Sequence, residues 1–88
     1  MIEKNVKIIN KLGLHARPAA LIVKTAEQFV SDVFLIKDGL QVNGKSIMGV
    51  MMLAAECGSE ITIRAIGVDS EAAVEAIGEL IQSKFQEE

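Results

Sequence analysis

The chain contains no Trp and no Tyr, and only one His, one Cys and one Pro among 88 residues. Each scarcity excludes something. One His and one Cys cannot assemble a zinc site of the usual kind. A lone Cys forms no internal disulfide, which suits a reducing compartment. Three Phe are the only aromatics, too few for a platform that stacks single-stranded nucleic acid. Basic residues are outnumbered as well, nine against twelve acidic, for a net charge of −3. A nucleic-acid binder usually shows the opposite balance. The longest nearly apolar stretch, residues 47–55, is far short of the ~20 residues that span a bilayer. No signal peptide is visible behind Met1-Ile2-Glu3-Lys4. The expectation is a cytoplasmic protein with no nucleic-acid or membrane partner and no metal or other cofactor. Its chemistry must rest on very few groups.

What is present points to a folded chain. Half the residues are apolar and 24% are charged, a globular balance. The length fits one domain over residues 1–88, which hides about 60–65% of its unfolded surface. Residues 2–8 alternate, with Ile2, Val6 and Ile8 on one face and Lys4 the exception there. Residues 16–29 change to helical spacing, with Ala19, Ile22, Val23, Ala26 and Phe29 as the stripe. Val33-Phe34-Leu35-Ile36 reads as a buried strand, and Asp38-Gly39 as a hairpin turn leading into Leu40 and Val42. Asn43-Gly44 makes a second turn. Ser46 is placed to cap a short helix over residues 47–54, with Gly58 ending that segment. Residues 60–66 alternate again. Asp69-Ser70 opens a last helix with Ala73, Val74, Ile77, Leu80, Ile81 and Phe85 as its stripe, and Gly78 weakens its interior. Alternating strands leave one sheet face wet, so the helices must cover the other. The expected fold is a two-layer α+β sandwich with a mostly antiparallel sheet.

Gly13-Leu14-His15-Ala16-Arg17-Pro18-Ala19-Ala20 is the segment richest in chemistry. Pro18 is tolerated only in a first turn, so a helix begins at about Ala16 with His15 beside its N-cap. Outward N–H groups and a positive dipole end favour an anion there and disfavour an imidazolium. Neutral imidazole is the nucleophilic form. A phosphoryl group on His15 would find those N–H groups, and Arg17 could add charge-assisted bonds. The plainer reading makes His15 a loop residue and Arg17 a surface charge.

Ser46 also has two readings, a cap worth about 1 kcal/mol and a phosphorylation site that would add roughly −1.5 to −2 charge. The helix behind it has too many apolar residues for one stripe. Ile47, Val50 and Ala54 can face the core, which leaves some of Met48, Met51, Met52 and Leu53 over. Either the helix is buried on all sides or it shows an adaptable Met surface to partners. Cys57 has no basic neighbour and no assigned role. No phosphate-binding glycine loop is present.

Asn10-Lys11-Leu12-Gly13-Leu14-His15-Ala16-Arg17-Pro18-Ala19 resembles the active-site signature of the HPr family, the histidine-containing phosphocarriers of the bacterial sugar phosphotransferase system. Lys45-Ser46-Ile47-Met48-Gly49 resembles that family's regulatory serine motif, and Gly67-x-Asp69 also fits. The resemblance implies an open-faced βαββαβα sandwich, four antiparallel strands with three helices on one face. It implies that His15 takes a phosphoryl group on Nδ1 from phospho-enzyme I and passes it to a sugar-specific enzyme IIA, with no enzyme activity of its own. Ala16 and Arg17 would hold the phosphate. Ser46 matches the target of an HPr kinase/phosphorylase, whose product binds a catabolite repressor. Ala20, Lys24, Ile47, Met48 and Met51 match the partner-docking surface, and a monomer is expected. One branch of the family lacks the histidine; this chain keeps it. Met52 stands where many members have serine, and Glu56-Cys57 departs from the family pattern.

Overall fold

The computed structural model describes residues 1–86. Alternation gives β1 (Ile2–Lys7), β2 (Asp32–Lys37), β3 (Leu40–Asn43) and β4 (Glu60–Ile66). They form one antiparallel sheet in the order β1-β4-β2-β3. Asp38 (φ +50°) and Gly39 (φ +82°) both lie in the left-handed region. This is the type I′ turn that matches the twist of the strands it joins.

The period-2 pattern decides which face is dry. Val6, Val33, Leu35, Val42, Ile61, Ile63 and Ala65 are buried beneath the helices. On the open face, Arg64 binds Glu3 at 2.6 Å and Gln41 at 2.7 Å, and Thr62 donates to Asn5 at 2.7 Å. These links run across the strands and satisfy the polar side of the sheet.

Helix α1 (Ala16–Ala26) buries Ala19, Ile22, Val23 and Ala26. It ends before Phe29, which packs on the core from the following turn. Helix α3 (Ser70–Gln82) buries Ala73, Val74, Ile77, Gly78 and Ile81. Phe85 is not on its stripe. A left-handed turn over Lys84–Gln86 carries that ring into the core, where it is fully buried. Asp69 stands at the N-cap of α3, but its carboxylate does not cap the helix. It accepts instead from the N–H groups of Val30 and Ser31, both at 3.0 Å, and from the Ser31 hydroxyl. Gly67 permits this clamp, since a Cβ there would lie 2.5 Å from the Ser31 Oγ.

Helix α2 is shorter than its apolar run suggests, spanning Ile47–Met52. Val50 and Leu53 are its buried side chains, whereas Ile47 and Ala54 face outward. Ala54, at φ +51°, breaks the helix in the left-handed conformation usual for a C′ residue. Gly58 (φ +95°) serves the next turn, in which Ser59 donates to Glu56.

Candidate functional site

The loop before α1 is held by backbone and one side chain. Ile8 donates to Ser59 at 2.8 Å and accepts from Gly58 at 2.7 Å. Asn10 is fully buried and its Nδ2 donates to the Gly13 carbonyl at 2.7 Å, while the Gly13 N–H returns to the Asn10 carbonyl at 3.2 Å. Gly13 sits at φ +70°, so close to its neighbours that a Cβ would lie 2.3 Å from the Ala55 oxygen. Leu14 then donates to that same oxygen at 2.9 Å and buries its side chain. The chain therefore reaches His15 with little freedom left.

His15 is the N-cap of α1, with extended backbone (φ −73°, ψ −173°), and its side chain makes no cap hydrogen bond. The first intrahelical bond of the turn runs from the Ala19 N–H to the His15 carbonyl at 3.0 Å. The N–H groups of Ala16 and Arg17 come before it, in the turn whose N–H groups an α-helix leaves to partners outside its own ladder. Pro18 brings none. No acidic residue lies in this turn, and Lys24 lies in the last one, so the dipole end is left positive where His15 stands. The imidazole is half-buried beside a shallow hollow shared with Leu12, Leu14, Ala54, Ala55 and Glu56. Arg17 is exposed in the same turn. The arrangement is suited to taking up an anion next to a ring nitrogen.

Ser46 caps α2, its Oγ accepting from the Gly49 N–H at 3.0 Å. The preceding Lys45 is drawn away, with Nζ on the Phe29 carbonyl at 2.8 Å. Ala20 and Lys24 lie on the exposed side of α1, which packs against α2. Met48 is 76% exposed, Met52 67%, Ile47 44% and Met51 42%. The helix is therefore not buried on all sides. Leu12, 72% exposed, extends the apolar surface. Sequence reasoning gave Asn10 and Leu12 no role of their own within the quoted motif, and it placed Ala54 in the core, whereas Ala54 is exposed. Only Asn10 left a signal, an Asn three residues before a Gly in a turn-rich stretch.

A histidine at the N-cap position of a helix beside a β1-β4-β2-β3 sheet, with a serine-capped apolar helix packed alongside, has known counterparts. The family profile described as PTS HPr component phosphorylation site matches residues 2–83, and the chain belongs to that family. It is 52% identical to the phosphocarrier protein HPr of Treponema pallidum (strain Nichols), with 100% of both chains covered. HPr-C-His from Thermoanaerobacter tengcongensis aligns with a TM-score of 0.96 at 50% identity, covering 100% of this chain and 99% of that one. Crh, the Bacillus subtilis catabolite repression protein, solved as a domain-swapped dimer, aligns with a TM-score of 0.77 at 49% identity, covering 96% of this chain and 97% of that one. Among the described residues, no helix is long and apolar enough to cross a membrane.

Proposed function

We propose that this chain is a phosphocarrier of the sugar phosphotransferase system, with His15 as its phosphoryl-accepting residue. A neutral ring nitrogen, Nδ1, attacks the phosphorus held by phospho-enzyme I. The donor's bond to phosphorus breaks as the new N–P bond forms. Transfer of the same group to a sugar-specific enzyme IIA regenerates the ring. The N–H groups of Ala16 and Arg17 and the Arg17 guanidinium hold the phosphate oxygens, so positioning and electrostatics do the work. Partners dock over Ala20, Lys24, Ile47, Met48 and Met51. The chain turns over no substrate by itself and acts as a cytoplasmic, single-domain monomer.

One observation carries the reading: the His15 ring stands half-buried at the N-cap position of α1, the positive end of that helix. Incubation with phosphoenolpyruvate and enzyme I should add one acid-labile phosphoryl group, absent from His15→Ala. No transfer to the unaltered protein overturns the reading.

Ser46 supports a second, regulatory role. Its hydroxyl borders the exposed Met surface at the start of α2. Phosphate there changes the charge seen by every partner while leaving the core alone. An ATP-dependent kinase should leave an acid-stable mark on Ser46, and the product is suited to a repressor with a basic contact surface.

A further inference from the structure

Methionine distribution in this chain is one-sided. Of the four methionines, three lie within α2 at positions 48, 51 and 52, and the remaining one is Met1. None is in the core. Their exposures are 76%, 42% and 67%, so their thioethers are open to solutes. The helix does not depend on them for its seat, because its buried contacts come from Val50 and Leu53. No acidic or basic side chain lies within Ile47–Met52 to keep the face polar. The chain thus places three oxidisable side chains on one apolar surface and leaves them out of its packing.

We infer that Met48, Met51 and Met52 form a peroxide-sensitive modification site that switches docking off and on. The inference rests on the proposed docking role of this face. A peroxide transfers one oxygen atom to each thioether sulfur. The sulfur loses two electrons and becomes a sulfoxide, and the peroxide is reduced to water or an alcohol. The product is polar and carries a strong S–O dipole, so the face no longer buries favourably against an apolar partner surface. A thiol-dependent sulfoxide reductase reverses the step, returning the thioether with one water and one disulfide. His15, on another helix, keeps its own chemistry throughout.

The test uses the full chain carrying Cys57→Ser, which removes the one thiol from the experiment. Hydrogen peroxide treatment, followed by peptide mass analysis, should place sulfoxides on Met48, Met51 and Met52. The KM for phospho-enzyme I should then rise at least about fivefold, as expected when docking anchors are made polar. The thermal midpoint should stay where it was. Phosphorylation of His15 by phosphoramidate, a small donor that needs no docking, should proceed equally before and after oxidation. Sulfoxide reductase with dithiothreitol should restore the original KM. In a chain with M48L, M51L and M52L, peroxide treatment should leave the KM of that variant where it stood before treatment. An unchanged KM in the fully oxidised chain overturns the inference, as does peroxide sensitivity that survives the triple replacement. Failure of untreated protein to accept phosphate is a different result, and it removes the carrier reading itself.

Discussion

Lys4 lays its side chain across Gly78. A Cβ added to that glycine would sit 3.4 Å from the lysine Cδ and 3.5 Å from its Cε and Nζ. Two local oddities thus meet at one place: the single cation on the inner face of β1 and the single glycine inside α3. The bare backbone leaves a track for the aliphatic stem, and the ammonium emerges 3.5 Å from Glu75. The stem covers apolar surface while the charge stays wet.

This pairing gives the first prediction. An added methyl group at position 78 meets the lysine stem at ordinary contact distance, so little has to move. Gly78→Ala should therefore gain most of the helix-propensity difference, about 0.5–1 kcal/mol, in urea unfolding. Gly78→Leu should lose stability, because it displaces Lys4. A destabilised alanine variant would show that the track is tighter than it looks.

Gly13 behaves differently. Its φ of +70°, and the 2.3 Å that would separate a Cβ from the Ala55 oxygen, exclude any side chain without moving the loop. Gly13→Ala should cost more than about 2 kcal/mol and slow phosphoryl acceptance, since the loop sets the position of His15. Gly39→Ala offers the control. Its φ is +82° with nothing within 4 Å, so only the cost of holding a side-chain-bearing residue in the left-handed region, about 1–2 kcal/mol, applies. Paired denaturation curves measure both.

Asp69 makes stability depend on acid. The Ser31 hydroxyl, and then the N–H groups of Val30 and Ser31, hold its carboxyl below the ordinary value of 3.8, against an opposing push from burial. A carboxyl depressed in the folded state stabilises fully above its unfolded pKa. That contribution is lost as pH falls below 3.8 and through the lower folded value. Asp69→Asn should lower the thermal midpoint at neutral pH. It should also flatten the acid side of the stability profile. A variant with the same acid limb as the parent would refute the assignment.

Ser46 separates capping from charge. Ser46→Ala removes the acceptor for the Gly49 N–H and should cost about 1 kcal/mol, with enzyme I docking retained. Aspartate is as good a cap as serine, so Ser46→Asp should keep its stability. Its added charge beside the Met surface should nonetheless weaken transfer from phospho-enzyme I. Equal transfer rates for the alanine and aspartate variants would leave Ser46 as a cap alone.

Much of the architecture was legible because it is written in short-range rules. Pro18 placed the start of α1, Asp38-Gly39 placed the hairpin, and Ser46 placed the start of α2. The position of His15 at a helix start was legible for the same reason, since a helix end is a local object. The unreadable parts have other causes. Residues 47–55 are nearly all apolar and so carry no period to show which side faces in. Leu53 therefore replaced Ala54 in the core without warning. Phe85 arrives from a left-handed turn that no residue preference announces. The Asp69 clamp on Ser31 and the fit of Gly13 against Ala55 depend on segments distant in sequence, which local patterning cannot report.

The strand order has a consequence for how the molecule comes into being. β4 is the last strand in the chain, yet it lies between β1 and β2. Before it arrives, β1 has no neighbour to pair with, and only the β2–β3 hairpin can close over a short loop. Such late, long-range pairing slows folding relative to helical proteins of similar size. The segment that pins the His15 loop, from Ala55 to Ser59, immediately precedes β4 in the chain. A nascent chain therefore carries His15 for most of its synthesis without the loop that positions it. The ability to take up phosphate should appear all at once, when the central strand slots into place.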